Sequence, residues 1–251
     1  MKRLQKIFLT AVLLSVCFGA SAQQKKGIAY RWTTDVIDSR YDAIKDSTAT
    51  KIIREYDPML ESLYEVVGYT ADEYERKRPE SGLSNFLTDM IRNYAEHKSG
   101  RKVHVAMINF GGIRDVLPKG EVKVYDIFTI LPFDNKVVYF DILGSDLIKT
   151  FEANVRNPES LSGVKLHIKG DKIVSLEVDG APIDPDKTYT YATLDFLYSG
   201  GDGIRFIGAK NLVEIDEFLR FVACDYFRKV TASLNGEPIV MSGDGRVVIE
   251  K

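Results

Sequence analysis

Five side chains stand beside turns dense in Gly, Pro or polar residues, each turn closing an apolar run, and each could hold a ligand. "INFGGIR" carries Asn109 and Arg114, "ILPFDNKV" carries Phe133, and "ATLDFLYSGGDGI" carries Phe196 and Asp202. Arg114 can meet a phosphate or carboxylate through two parallel hydrogen bonds; the plainer alternative is a surface ion pair with Asp115 or Asp126. Phe133 and Phe196 are either core residues or, if they face each other, the walls of a slot for a flat base. Asp202 between glycines can accept hydrogen bonds from a diol such as ribose, or can serve the turn alone. Gly111 and Gly112 follow the run Val103–Ile108, but their spacing does not fit a mononucleotide-binding loop and no lysine follows. They are expected to reverse the chain so that Asn109 and Arg114 face one ligand.

Other chemistries find less support. Metal hydrolysis needs clustered His, Asp and Glu, whereas the three histidines, His97, His104 and His167, have no Asp-x-His, His-x-His or Asn-His neighbourhood. His104 and His167 read as structural histidines in strands, and His97 lies near a helix end, where a cation suits the dipole. "LSGV" and "YSGG" lack the nucleophile elbow, and "NFGGIR" and "SGGDGI" lack dinucleotide-loop spacing. Cys224 sits in an apolar helical pattern and reads as a small core residue. No metal ligand and no catalytic residue is assigned to this chain.

The elements that must position the five side chains alternate between helical and extended patterns. Ile52, Tyr56, Met59, Leu60 and Leu63 recur at helical spacing, with Asp57-Pro58 either opening a new helix or kinking a single one. Val66–Tyr69 is a short strand, and "EYERKR", Glu73–Arg78, a solvated charged face. Ser84 is expected to cap a helix with the stripe Phe86, Leu87, Met90, Ile91, Tyr94 and Ala95, stopped by Gly100. Val137–Leu143 alternates as a half-buried strand before a helix over Asp146–Val155. Val164–Ile168 and Ile173–Val178 flank the turn "KGDK" as a hairpin. Tyr189–Leu194 is a strand, Glu217–Val230 a helix and Arg246–Ile249 a final strand. No regular βαβ rhythm appears, so the fold class is α+β, with mixed sheets and packed helices.

The chain has 251 residues, a net charge of −2, 45% hydrophobic and 28% charged residues, the balance of an ordinary globular protein. Residues 1–22 combine a basic start (Lys2, Arg3, Lys6), the apolar run Ile7–Phe18 and the A-x-A pattern Ala20-Ser21-Ala22, which together spell a secretory signal peptide rather than a membrane span. Lipidation at Cys17 is a lesser option, because Val16 is bulky for the preceding position. Cleavage removes three basic residues and no acidic one, leaving a charge of −5, which argues against binding a nucleic acid polymer. One cysteine, Cys224, remains, so no internal disulfide is expected. Residues 23–251 are expected to form the domain, with 23–45 a mobile start, no transmembrane span, and a periplasmic or cell-envelope setting.

Five stretches, "PESGLSNFLTDMIR", "INFGGIRDVLPKGEV", "DIFTILPFDNKVVYFDILGSDLIKTFE", "SGVKL" and "YATLDFLYSGGDGIRF", together and in this order resemble the C-terminal domain of the 5′-nucleotidase / UDP-sugar hydrolase family. The resemblance runs from about Glu80 to Phe206, and more loosely to the end. It implies that Phe133 and Phe196 sandwich a nucleobase, that Asn109 contacts the nucleoside, that Arg114 meets the phosphate side, that Asp202 holds ribose hydroxyls and that Gly163 lies against the ligand. A further family arginine falls, by ungapped spacing, on Lys77, with Arg76 and Arg78 beside it. Family members usually carry an N-terminal metallophosphoesterase domain with two metals, whose Asp-x-His and Asn-His motifs are not found here. The resemblance therefore implies a free-standing substrate-binding half, holding a nucleotide or nucleoside in nucleotide catabolism. The divalent metals would belong to a separate metallophosphoesterase chain. The alternative is a non-catalytic periplasmic nucleotide- or nucleoside-binding protein.

Overall fold

A computed structural model describes residues 31–34, 36 and 47–250. The signal-peptide reading of residues 1–22 and most of the mobile start fall outside the described residues. The chain divides into two units, Met1–Ile52 and Ile53–Lys251, and all the elements below except the start of the first helix lie in the second. Helix α1, Ser47–Leu60, runs through Pro58, so the Asp57-Pro58 pair opens no new helix, and a 3₁₀ turn, Glu61–Tyr64, follows.

The central sheet places the site. Its five strands lie in the order β10-β4-β9-β2-β5: β2 is Val105–Ile108, β4 Lys136–Leu143, β5 Ser160–Ser162, β9 Thr188–Leu194 and β10 Lys210–Phe218. β2 and β9 are parallel neighbours, so their C-terminal ends emerge at one edge and release Asn109 and Asp195 side by side. β4 is antiparallel to β9, with Val137 opposite Leu194, so the loop before β4, carrying Phe133, reaches that same edge. β5 is antiparallel to β2, with Ser160 opposite Ile108, which brings Glu159 there. β10 pairs Phe218 with Lys136, so the helix after it, α6 (Leu219–Ser233), starts there too. One sheet edge thus collects five connections that are far apart in sequence.

Helix α2, Gly82–Ser99, packs on this sheet through Leu83, Leu87, Met90, Ile91 and Ala95, each at most 1% exposed. Burying each larger aliphatic side chain stabilises by about 1.5–3 kcal/mol. Its N-cap is Ser81, three residues before the expected Ser84. Ser84 is instead the reciprocal member of a capping box, since Ser81 Oγ accepts from the Ser84 N–H while Ser84 Oγ accepts from the Ser81 N–H. Gly100 ends the helix in the left-handed region at φ 67°, as its position predicts.

The "KGDK" hairpin joins β6 (Val164–Lys169) to β7 (Lys172–Val178). The last strand, β11 (Val247–Glu250), adds parallel to β6, and a two-residue strand, β8 (Ala181–Pro182), to β7. A separate two-stranded ladder pairs β1 (Val66–Thr70) with β3 (Gly120–Lys123). Short helices α3 (Val124–Ile130), α4 (Gly144–Ala153) and α5 (Asp195–Tyr198) complete the set. The mixed sheets and packed helices are the expected α+β architecture. Among the described residues no helix is long and apolar enough to cross a membrane.

Candidate functional site

The turn after β2 is held from three sides. Glu159, 2% exposed, accepts from the Phe110 N–H at 2.6 Å. Arg76 donates to the Phe110 carbonyl. Arg78 lies over the Phe110 ring, 4.5 Å from its centroid, and donates to Glu159 at 2.8 Å and to the Pro158 carbonyl at 2.6 Å. The charged run Glu73–Arg78 is therefore more than a solvated face, because two of its arginines fasten the Asn109 turn.

Asn109 is 4% exposed and donates through Nδ2 to Asp202 Oδ2 at 2.6 Å. Its Oδ1 is buried without a hydrogen-bond partner, a costly state for a carbonyl oxygen unless a donor reaches it. Gly112 is required beside it, since a Cβ there would come within 2.6 Å of Asn109 Oδ1. Asp202 sits at φ 53°, a left-handed conformation that short polar side chains tolerate, and its second carboxylate oxygen has no partner among the described residues.

Phe133 and Phe196 are 41% and 44% exposed, so neither is a core residue. Arg114 forms no ion pair with Asp115 or Asp126. Asp115 caps the Val116 N–H and Asp126 caps the Lys123 N–H at the start of α3. The Arg114 guanidinium instead lies over Phe133, 5.1 Å from the ring centroid, a contact worth about 0.5–1 kcal/mol at an exposed site. All its N–H donors remain free among the described residues.

These groups line one cavity of about 250 Å³, bounded by Asn109, Gly111, Gly112, Arg114, Phe133, Asn135, Phe196 and Asp202. It offers two exposed aromatic faces, one free guanidinium, one carboxylate and one orphaned amide oxygen. That set suits a ligand with a flat ring, hydroxyl donors and an anionic group. Asn135 was not legible as a site residue, although its place two residues after Phe133 in a polar turn was a signal.

Two candidates lie elsewhere. Lys77 pairs with Glu75 at 2.6 Å, which raises its pKa, and is not among the residues lining the cavity. Gly163 lines a separate, wider cleft with Arg92, Asp179 and Arg246. Its lack of a side chain has a local cause, φ 76° and a position where a Cβ would come within 2.0 Å of the His104 carbonyl. His104 itself accepts the Thr190 N–H at 3.0 Å through Nδ1, and His167 pairs with Glu250 at 2.9 Å. Cys224 is buried, and burial pushes its thiol up to about 11, so it is inert as a nucleophile near neutral pH.

Comparison with known proteins identifies the family of the chain. The family described as 5′-nucleotidase, C-terminal domain, matches residues 66–209. An apyrase of Tabanus yao is 30% identical over 196 residues, covering 66% of this chain and 34% of the apyrase. Protein UshA of Escherichia coli is 36% identical over 104 residues, covering 39% of this chain and 19% of UshA. Among solved structures, a 5′-nucleotidase precursor from Thermus thermophilus superposes with a TM-score of 0.68 at 22% identity, over 82% of this chain and 44% of that one. The NAD nucleotidase of Haemophilus influenzae gives 0.64 at 18% identity, over 88% and 46%. These last two are likenesses of fold. In every case the chain spans less than half the length of the protein it matches.

Proposed function

Because the chain belongs to the 5′-nucleotidase family by its C-terminal domain, the substrate-binding part, we propose that it binds a nucleotide or nucleoside between Phe133 and Phe196 and presents the phosphate to a separate metallophosphoesterase chain. One observation carries this reading: Asn109, Arg114, Phe133, Phe196 and Asp202, drawn from three distant stretches, converge on a single cavity. In that cavity the rings would stack the base, worth about 1–3 kcal/mol per base. The free oxygen of Asp202 would accept from a ribose hydroxyl, and a ligand donor would satisfy Asn109 Oδ1. Arg114 would leave the face of Phe133 and take the phosphate through two parallel hydrogen bonds.

Phosphate ester hydrolysis in this family's manner calls for two divalent metals, which polarise the phosphoryl group and activate water. Among the described residues no three His, Cys, Asp or Glu side chains come together so as to hold a metal ion. The described side chains do not form that centre; in this reading the chain would bind and orient the substrate, and a partner would supply the cutting groups. Export by the signal peptide would place this chain in the cell envelope, where such a partner would meet it in nucleotide catabolism.

The test is to incubate the purified chain with nucleoside monophosphates and Mn²⁺ or Zn²⁺, alone and with candidate envelope metallophosphatases. The split-enzyme reading expects phosphate release only with the partner. Steady release by the chain alone, surviving removal of contaminating phosphatase, would sink it. Nucleoside binding with no gain in hydrolysis from any partner would favour a non-catalytic binding protein.

A further inference from the structure

One side chain grips the residues on both sides of Phe133. Arg220, in the first turn of α6, donates Nη1 to the Pro132 carbonyl at 3.2 Å and Nη2 to the Asp134 carboxylate. Its guanidinium stands among three rings, 5.2 Å from the Phe128 centroid, 5.5 Å from Phe218 and 5.9 Å from Phe221. The side chain is only 18% exposed, and its Nε is buried without a partner. A cation so placed is costly unless its remaining donors are used, and here they are used on the one loop that carries Phe133.

That loop has few other holds. β4 begins only at Lys136, so Phe133 lies outside the ladder that fixes β4 to β9. At the far end of the loop the Asn135 carbonyl accepts from Leu219 N–H at 2.8 Å, and Lys136 N–H donates to Asp195 Oδ1 at 3.1 Å. The same Asp195 oxygen accepts from Phe196 N–H at 2.8 Å. One wall of the cavity is thereby tied to the sheet through Asp195, whereas the residues on both sides of the other, Phe133, are held by Arg220, with the Arg114 guanidinium resting on the ring itself.

We propose that Arg220 is a positioning residue that holds Phe133 at a fixed distance from Phe196, and so sets the width of slot available to a flat ring. The proposal rests on the reading of Phe133 and Phe196 as the walls of a ring-binding slot. Only a planar, forked cation can lie among three rings and reach two acceptors at once; an ammonium in its place is a point charge and holds one or neither.

A double-mutant cycle tests it, with the fluorescent nucleoside 1,N6-ethenoadenosine as probe and Arg220→Lys, Phe133→Ala and the double variant as proteins. Acting through Phe133, Arg220→Lys should weaken binding by roughly tenfold in the native background and by less than about twofold where Phe133 is already alanine, because coupled sites are not additive. Equal losses in both backgrounds would overturn the proposal. A ligand-free readout runs beside it: amide hydrogen exchange at Lys136 and Leu219, whose N–H groups are hydrogen-bonded at the end of the loop, should quicken in Arg220→Lys while that of the rest of β4 stays unchanged, and unaltered exchange at both would likewise overturn it. Native protein that fails to bind the probe would count against the nucleoside reading, and the exchange data would still decide whether Arg220 holds the loop. Should Arg220→Lys not fold, Asp134→Asn, which leaves Arg220 in its aromatic cage, is expected to give the same pattern in both readouts.

Discussion

Replacing Glu159 should loosen the Asn109 turn and cost the protein much of its margin of stability. The carboxylate is 2% exposed and serves two partners, the Phe110 N–H at 2.6 Å and Arg78 at 2.8 Å. Glu159→Ala strands both. Breaking a fully buried ion pair costs about 3–5 kcal/mol, but the Arg78 side chain is 42% exposed and keeps the Pro158 carbonyl. It can turn to water, so its share falls towards the surface value of about 0–1 kcal/mol. The Phe110 N–H belongs to a residue 4% exposed, and leaving it unpaired costs about 1–3 kcal/mol. The sum is near 3 kcal/mol, and for a unit of this size that lowers Tm by about 6–12 °C. Glu159→Gln keeps an acceptor for Phe110 and removes only the charge, so it should cost about 1 kcal/mol. Thermal and urea unfolding followed by circular dichroism measures both. Glu159→Ala within 1 kcal/mol of the native protein, or Gln as damaging as Ala, would refute the reasoning.

Three further outcomes are expected. Gly112→Ala puts a Cβ 2.6 Å from Asn109 Oδ1, so it should displace the carboxamide, cost about 1–3 kcal/mol by overpacking and weaken nucleoside binding measured by calorimetry. Arg114→Ala should weaken a nucleoside monophosphate by about 1.5–3 kcal/mol and leave the matching nucleoside nearly unchanged; equal losses for both would remove Arg114 from the phosphate. The fold lowers the pKa of His104 below its ordinary 6.5, chiefly by burial and then by Lys187. The unfolded chain therefore takes up this proton first, and stability should fall as pH drops through about 6.5. Tm measured between pH 7.5 and 5 checks this, and His104→Asn should flatten the fall.

The parts of the fold that were legible in the sequence are those with a local cause. Gly100 stops α2 because a left-handed residue must follow the last turn, and "KGDK" turns β6 into β7 because it interrupts two alternating runs. β10 was missed, for it is an edge strand whose residues Lys210–Glu214 are all exposed, so no alternation marks it. α3 was missed as well, since "VYDIFTI" is rich in β-branched and aromatic residues and is held helical by the Asp126 cap. Family resemblance and turn chemistry indicated Asn109, Arg114, Phe133, Phe196 and Asp202, and the sheet topology brings all five to one cavity. Glu159, Asp195 and Arg220 left no such mark. Their partners are backbone groups and side chains mostly distant in sequence, and only the shared sheet edge makes them neighbours.

The central claim is that Phe133 and Phe196 hold the flat ring of a nucleotide or nucleoside, and titration calorimetry of adenosine monophosphate against the native chain, Phe133→Ala and Phe196→Ala tests it most directly. Saturable binding by the native chain, weakened by about 1–3 kcal/mol in each variant with Tm preserved, is the predicted result. Binding that survives the loss of both rings undiminished would contradict it.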